Sequence, residues 1–444
     1  MASSETHLLG SLDFRPSKTG QYVTSRRSVT MHPGSGNTFS ATGIITIRFT
    51  IAGSDWLVPE TCRIGLTVHN GSALHALQPV SVLGGSLFSR MRIMSGGVLL
   101  EDVNLYNRQV NTFHYCLPPA RQFLDAAVGF GVAANNHGLS AIEWIPEQIP
   151  AGSERRIFFN LMSGILSQHL WIPLAYCPLT IELEVADVNS PFAPTYLAPG
   201  AIGVGGAAPV AAVMSQNWSL SDVRFYGDMC ELDAGLQSSY ASHLSSGRTL
   251  PLAFYSFVTQ TQRAEGPSQT LVLARSFTRL KGIFVTWFRA NDPSGLKNHT
   301  NYLYHPHGPG AYVRARDNVE VQIQIGARKF PEYPTTGLAE AFYRLRLAIG
   351  AHFGDVPIAV LPQEFRSSKF IIGCDFEKAA SGPGGGVAFS GISSRGGELL
   401  TIEYKGFGVP DPDPNVSTTP TQSFVSLNFD AILEIGADSI SVSD

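Results

Sequence analysis

The chain has 444 residues and a formal net charge of −4, and only 15% of its residues are charged, well under the roughly 25% usual for soluble domains. The balance of 31 Lys+Arg against 35 Asp+Glu excludes a protein whose whole surface grips nucleic acid, which needs clustered cations. A hydrophobic fraction of 44% excludes disorder for the body of the chain, and no run reaches the roughly 18 apolar residues of a membrane helix.

The first ten residues lack the basic and apolar regions of a secretory signal, so synthesis in the cytosol without membrane insertion is expected. Cys62, Cys116, Cys177, Cys230 and Cys374 are scattered and are expected to be free, buried thiols. The sequons at Asn70, Asn217, Asn298 and Asn415 are expected to carry no glycan.

In chain order, residues 1–40 are polar and read as an extended arm carrying Arg15, Lys18, Arg26 and Arg27. Period-2 alternation then predicts strands at 42–51, 62–68, 88–94 and 98–103, the last two flanking a Ser95-Gly96-Gly97 turn. Residues 104–116 read as a short helix, followed by strands at 156–161, 179–185 and 218–226. A Pro/Gly/Ala-rich loop spans 190–213, and 232–247 is a helix-tolerant connector. Strands resume at 252–259, 269–273, 280–287, 319–325, 369–374, 398–405 and 424–435, with 328–333 a further candidate; Leu338–Ala348 has the best helical spacing in the chain.

The order of elements repeats. Strand, glycine turn, strand, acid and helix run from Met91 to Phe113 and again from Gln322 to Phe342, with Glu101 and Glu332 matched. Leu179-Thr-Ile-Glu matches Leu400-Thr-Ile-Glu, Ile64 matches Ile283, and Val223–Phe225 is matched to Asn428–Asp430 at an offset of 205. A drifting offset with constant order is the mark of a duplicated domain. The fold expected is all-β: two tandem eight-stranded jelly rolls with short loop helices. The expected division is an arm at 1–40, a first roll at 41–231, a connector at 232–248 and a second roll at 249–444.

The run from Leu87 to Arg108, LFSRMRIMSGGVLLEDVNLYNR, resembles the hallmark of double jelly-roll major capsid proteins of the bacteriophage–adenovirus lineage, and is most similar to those of polinton-like viruses and adintoviruses. Ser276–Lys281, Val321–Tyr333, Ala339–Tyr343, Gly373–Lys378 and Gly397–Ile402 add to the resemblance; the 1–40 arm and the 190–213 loop have no counterpart in it. It implies a virion shell subunit that forms pseudo-hexameric homotrimers tiling an icosahedral capsid. Partners would be other copies of itself, with penton and minor capsid proteins, and there would be no catalysis and no cofactor. Threefold closure of a two-domain chain agrees with that outline.

Competing readings of single motifs are weaker. Glu101-Asp102 could be a catalytic dyad, but neighbours on a strand point to opposite faces; one acid is expected at the start of the following helix, the other in solvent. His305-Pro-His307 with His299, Ser294–Lys297, Gly382–Gly386 and Asp411–Asn415 read as loops rather than metal, nucleophile, phosphate or calcium sites. Arg15, Lys18, Arg26 and Arg27 are candidate contacts to a packaged genome or a neighbouring subunit, and Arg90 and Arg92 candidate ion-pair formers at a subunit seam. The main alternative, a carbohydrate-binding β-sandwich, would need an aromatic platform, whereas Trp56, Trp144, Trp171, Trp218 and Trp287 are spread singly. A cupin-type enzyme would need histidines on inward strands.

Overall fold

The computed structural model describes residues 22–132, 146–188, 214–264, 268–288, 319–353, 369–378, 390–396, 399–406 and 422–444, with Thr195, Val360 and Phe365. In the first half these form β1 (Val23–Met31), β2 (Thr38–Ser40), β3 (Thr46–Ile51), β4 (Trp56–Asn70), β5 (Phe88–Ser95) and β6 (Val98–Asn104). Helices α1 (Tyr106–Tyr115) and α2 (Pro119–Val128) follow, then β7 (Glu154–Phe159), β8 (Ile172–Pro173), β9 (Leu179–Val185) and β10 (Trp218–Leu232). The connector is helix α3 (Ala234–Ser245), whose Asp233 cap accepts a hydrogen bond from the Gly235 N–H at 2.9 Å. The second half holds β11 (Leu250–Arg263), β12 (Gln269–Leu273), β13 (Leu280–Phe288), β14 (Glu320–Ile325), β15 (Arg328–Thr336) and α4 (Gly337–Phe353). It continues with β16 (Ile372–Asp375), β17 (Leu400–Lys405), β18 (Gln422–Ile435) and β19 (Ile440–Ser443).

Four antiparallel sheets result. In the first half β1-β10-β4-β7 stacks on β3-β9-β5-β6; in the second β11-β18-β13-β16 stacks on β12-β17-β14-β15. Phe49 meets Phe225 across the first sandwich and Trp287 meets Tyr404 across the second. Counting the eight principal strands of each half in chain order, both sandwiches run 1-8-3-6 in one sheet and 2-7-4-5 in the other. That interleaving of outer and inner strand pairs is the jelly-roll topology, and it occurs twice.

Side-chain alternation explains the layering. In β9 the residues Leu179, Ile181, Leu183 and Val185 are buried while those between are partly exposed, so one face points into the sandwich. The repeat holds at the level of register: Ile181 lies opposite Ile93 in the first half, and Ile402 opposite Ile323 in the second. Ile64 pairs with Phe225 and Ile283 with Leu427, so Leu427 is the counterpart of Phe225, three residues short of the sequence match. Likewise Glu101 stands opposite Ile93 while Phe330 stands opposite Ile323, so Glu101 and Glu332 are not equivalent.

The expected extended arm is also revised. Residues 23–31 pair along most of β10, and Thr38–Ser40 adds to the same strand; this stretch is part of the first sandwich because its partner strand offers a free edge. Residues 1–21, the 190–213 loop apart from Thr195, and the motifs at 294–307, 382–386 and 411–415 lie outside the described residues.

All five cysteines are free and buried. Burial pushes the thiols of Cys62, Cys116 and Cys374 up to about 12, which removes the reactive thiolate at neutral pH. The native protein at pH 8 is therefore expected to leave an aromatic disulfide reagent almost colourless, with five equivalents released on denaturation; rapid release from the folded chain would contradict the buried placement.

Candidate functional site at the seam between the two rolls

In the second roll's β11-β18-β13-β16 sheet, β13 and most of β18 are buried on both faces. In β13, Ile283, Val285 and Trp287 point into their own sandwich, and Phe284 and Thr286 point away yet are equally covered. What covers them is α1. Phe113 of that helix packs on Phe257 of β11 (ring centroids 5.0 Å) and edge-on against Phe284 (4.8 Å), the offset geometry that aromatic quadrupoles favour. A single hydrophobic core runs from Ile47 and Phe225 through Phe113 to Leu427 and Leu433.

Arg108, on the same helix, is wholly buried. Its Nη2 donates to the Thr286 hydroxyl and the Trp287 carbonyl, both at 3.2 Å, and the guanidinium lies 5.9 Å from the centre of the Phe424 ring. Burial lowers its pKa to about 9. Just before the helix, Leu105 turns through φ 49° and packs against Phe424. A bulky side chain rarely adopts that left-handed conformation, and here the contact across the seam holds it there.

Glu101 is the second anchor. Its buried carboxylate accepts from Ser163 Oγ, from the backbone N–H of Gly164 (3.0 Å) and of Ile165 (3.4 Å), and from Ser256 on β11. Burial raises its pKa above the usual carboxylate range. The acid thus caps the 3-10 turn at 165–167 and ties it to the second roll, so it lies neither at the start of α1 nor in solvent, the two places expected for the pair. The next residue, Asp102, is not left to solvent either: it takes Arg90 in a two-pronged pair at 2.8 and 2.6 Å. Gly164 has no room for a side chain, because a Cβ there would overlap the Tyr255 carbonyl. Thr259 closes the far end by donating to the Asn104 carbonyl at 2.5 Å.

The other sequence candidates are placed as follows. Arg26 reaches Asp228 at 2.8 and 2.5 Å, and Arg27 reaches Asp55 at 2.5 Å. Arg92 pairs with Glu182 at 2.8 Å, which also holds Arg48 at 3.2 Å. Each of these arginines has an acid within its own chain. Arg15 and Lys18 lie outside the described residues. Trp56, Trp218 and Trp287 are buried and so form no sugar platform.

Sequence reasoning missed one polar group. His69 Nε2 lies 2.5 Å from Ser221 Oγ and its Nδ1 lies 2.9 Å from Glu154. The order is that of a hydrolytic triad, but His69 and Glu154 are register partners on β4 and β7, and Ser221 lies two residues along β10 from Ser219, the register partner of His69. Ser221 pairs with Thr38 on one side and Thr67 on the other. Its backbone lies inside the ladder, not in an open turn that could hold an oxyanion. The group is a cross-strand ladder on the outer face of the first roll. Among the described residues there is no cluster of His, Cys, Asp and Glu able to hold a metal ion, and no helix long and apolar enough to cross a membrane.

No protein-family model matches the chain, and no curated protein matches it. Solved structures do. VP54 of PBCV-1, fitted into a reconstruction of the virophage Sputnik, is similar at 11% identity and a TM-score of 0.62, over 97% of this chain and 99% of that one. A chain in the 3.5 Å structure of the Sputnik virophage is similar at 10% identity and 0.60, over 100% and 93%. The Faustovirus major capsid protein follows at 11% and 0.58, over 97% and 93%. The likeness runs the length of both chains in each case, so what is shared is the whole tandem arrangement. The chain has the double jelly-roll fold.

The β11-β18-β13-β16 sheet and the helix that covers it yield two predictions. Phe113→Ala should cost about 3–5 kcal/mol, as for other large aromatic truncations, read as a lower denaturant midpoint. The second concerns Asp375 and Asp430, which burial raises from 3.8 to about 6. Between about pH 4 and 6 the folded chain binds protons that the unfolded chain does not, so stability should rise as pH falls through that window. Asp430→Asn should flatten the rise and add on the order of 2 kcal/mol at pH 7, measured by denaturant titration at several pH values.

Proposed function

We infer that this protein is a major capsid protein, a shell subunit that self-assembles into pseudo-hexameric homotrimers that tile an icosahedral virion. The observation that carries the reading is the duplicated sandwich fused by one core, with a full-length likeness to the Faustovirus major capsid protein and to a chain of the PBCV-1 capsid (TM-score 0.56). Two like rolls per chain give a ring of three chains six like positions, so threefold symmetry acquires a hexagonal outline suited to tiling. A rigid seam serves that role, because a hinge between the rolls would blur the outline.

The role is structural rather than catalytic, and the partners are further copies, with penton and minor capsid proteins at the vertices and joints. Any contact with the genome falls to Arg15 and Lys18, since Arg26 and Arg27 are engaged with Asp228 and Asp55. Light scattering on the purified protein should give three times 47.8 kDa, and negative-stain microscopy should show hexagonal capsomers or closed particles. A monomer at every concentration that binds a sugar would overturn the reading.

A further inference from the structure

Within the chain, the seam joins two sheet edges. β6 is the edge of its sheet and β11 the edge of another, and the two meet where Thr259 bonds to the Asn104 carbonyl. The helix that follows β6 then lies on the outer face beside β11, with Phe113 on Phe257 and Phe284. Each of these parts has a counterpart in the other roll. β15 is the fifth principal strand of the second roll as β6 is of the first, and it is followed by α4 as β6 is by α1. β1 is the first strand of its roll, as β11 is.

Among the described residues these counterparts are not covered in the same way. β1 and β15 are both edge strands, and both are exposed along most of their length, a condition that invites pairing with another chain. Tyr333 on β15 and Tyr343 and Leu347 on α4 are 77%, 56% and 44% exposed. On β4, separated from β1 by β10, the register position of Phe284 is held by Gly65. The rings of Phe158 and Tyr226, 5.3 Å apart, fold over it on the outer face and would be struck by any side chain placed there.

We propose that β15 and the outward side of α4 in one copy pack against β1 and the aromatic face over Gly65 in the next, repeating between chains the seam that β6 and α1 make with the second roll within a chain. The occupant is a second copy because the surface continues an interface already formed by the same two kinds of flank. The contact is heterologous, so it propagates around a ring and closes when like seams alternate six times, which is three chains. The proposal rests on the capsid reading and supplies its residues.

Crosslinking separates the two ideas. The double variant Tyr333→Cys with Thr30→Cys, treated with a short bis-maleimide, should give a covalent three-chain band, and neither single variant should; the five native thiols are buried and give a clean background. Tyr343→Glu with Leu347→Glu should shift the trimer–monomer midpoint upward by roughly a hundredfold in concentration, with the monomer's thermal melt unchanged. A wild-type trimer whose cysteine variant does not crosslink and whose glutamate variant stays trimeric would overturn this surface and leave the capsid reading standing. A wild-type chain that is monomeric at all concentrations would overturn both.

Discussion

Along β13 and β18 the outer face of the second roll's sheet is as buried as the inner one, and its Phe284 and Phe424 cannot be left against water. Phe284, Thr286, Phe424, Ser426 and Asn428 all point away from their own sandwich and are all buried. Covering them obliges the first roll to dock, and the way it docks fixes the rest: Phe113 fills the aromatic gap, Arg108 reaches Thr286 and the Trp287 carbonyl, and Glu101 binds the turn at Gly164 against Tyr255. The polar members of this face are what keep the fit specific. A buried guanidinium tolerates only the placement in which its donors find acceptors.

Duplication sets two versions of one strand position side by side within one molecule. Asp228 and Asp430 occupy matching places, three residues beyond Phe225 and Leu427. On the open face Asp228 is held below the usual carboxylate range by the Ser28 hydroxyl and by Arg26. On the covered sheet Asp430 is raised to about 6 by burial. The same strand position has thus been driven in opposite directions, by a hydroxyl and an arginine in one roll and by burial in the other. Gly65 and Phe284 show the same divergence in shape, one kept empty beneath two rings, the other filled and wedged against α1.

Much of this was legible from the sequence where the signal is local. β12 and β9 were bounded to the residue because strict alternation needs no distant information, and the double jelly roll followed from the repeated element order. The failures share a cause. β1 reads VTSRRSVTM, with no buried face of its own, and is a strand only because β10, some two hundred residues on, presents it an edge. Arg26 and Arg27 looked free because their acids lie on β10 and in the turn before β4. Glu101 was taken for a solvent or helix-capping acid because Ser163 and Gly164 are remote in sequence. The hairpin match of Glu101 to Glu332 slipped because β15 carries extra residues between its pairing positions, which composition does not reveal.

The backbone contact between Gly164 and Tyr255 bears on how such chains can change over time. The two rolls look like exchangeable modules, each a complete sandwich, yet the turn at 163–167 and the strand at 250–263 are fitted to each other to within an atom's width. A chimera joining the front of one lineage to the back of another at the α3 connector would bring together surfaces that never matched. Viable exchange would have to carry the segment from Glu101 to Phe113, the 163–167 turn and their opposing strands as one inherited unit, so that the halves drift together although they descend from a copying event that once made them independent.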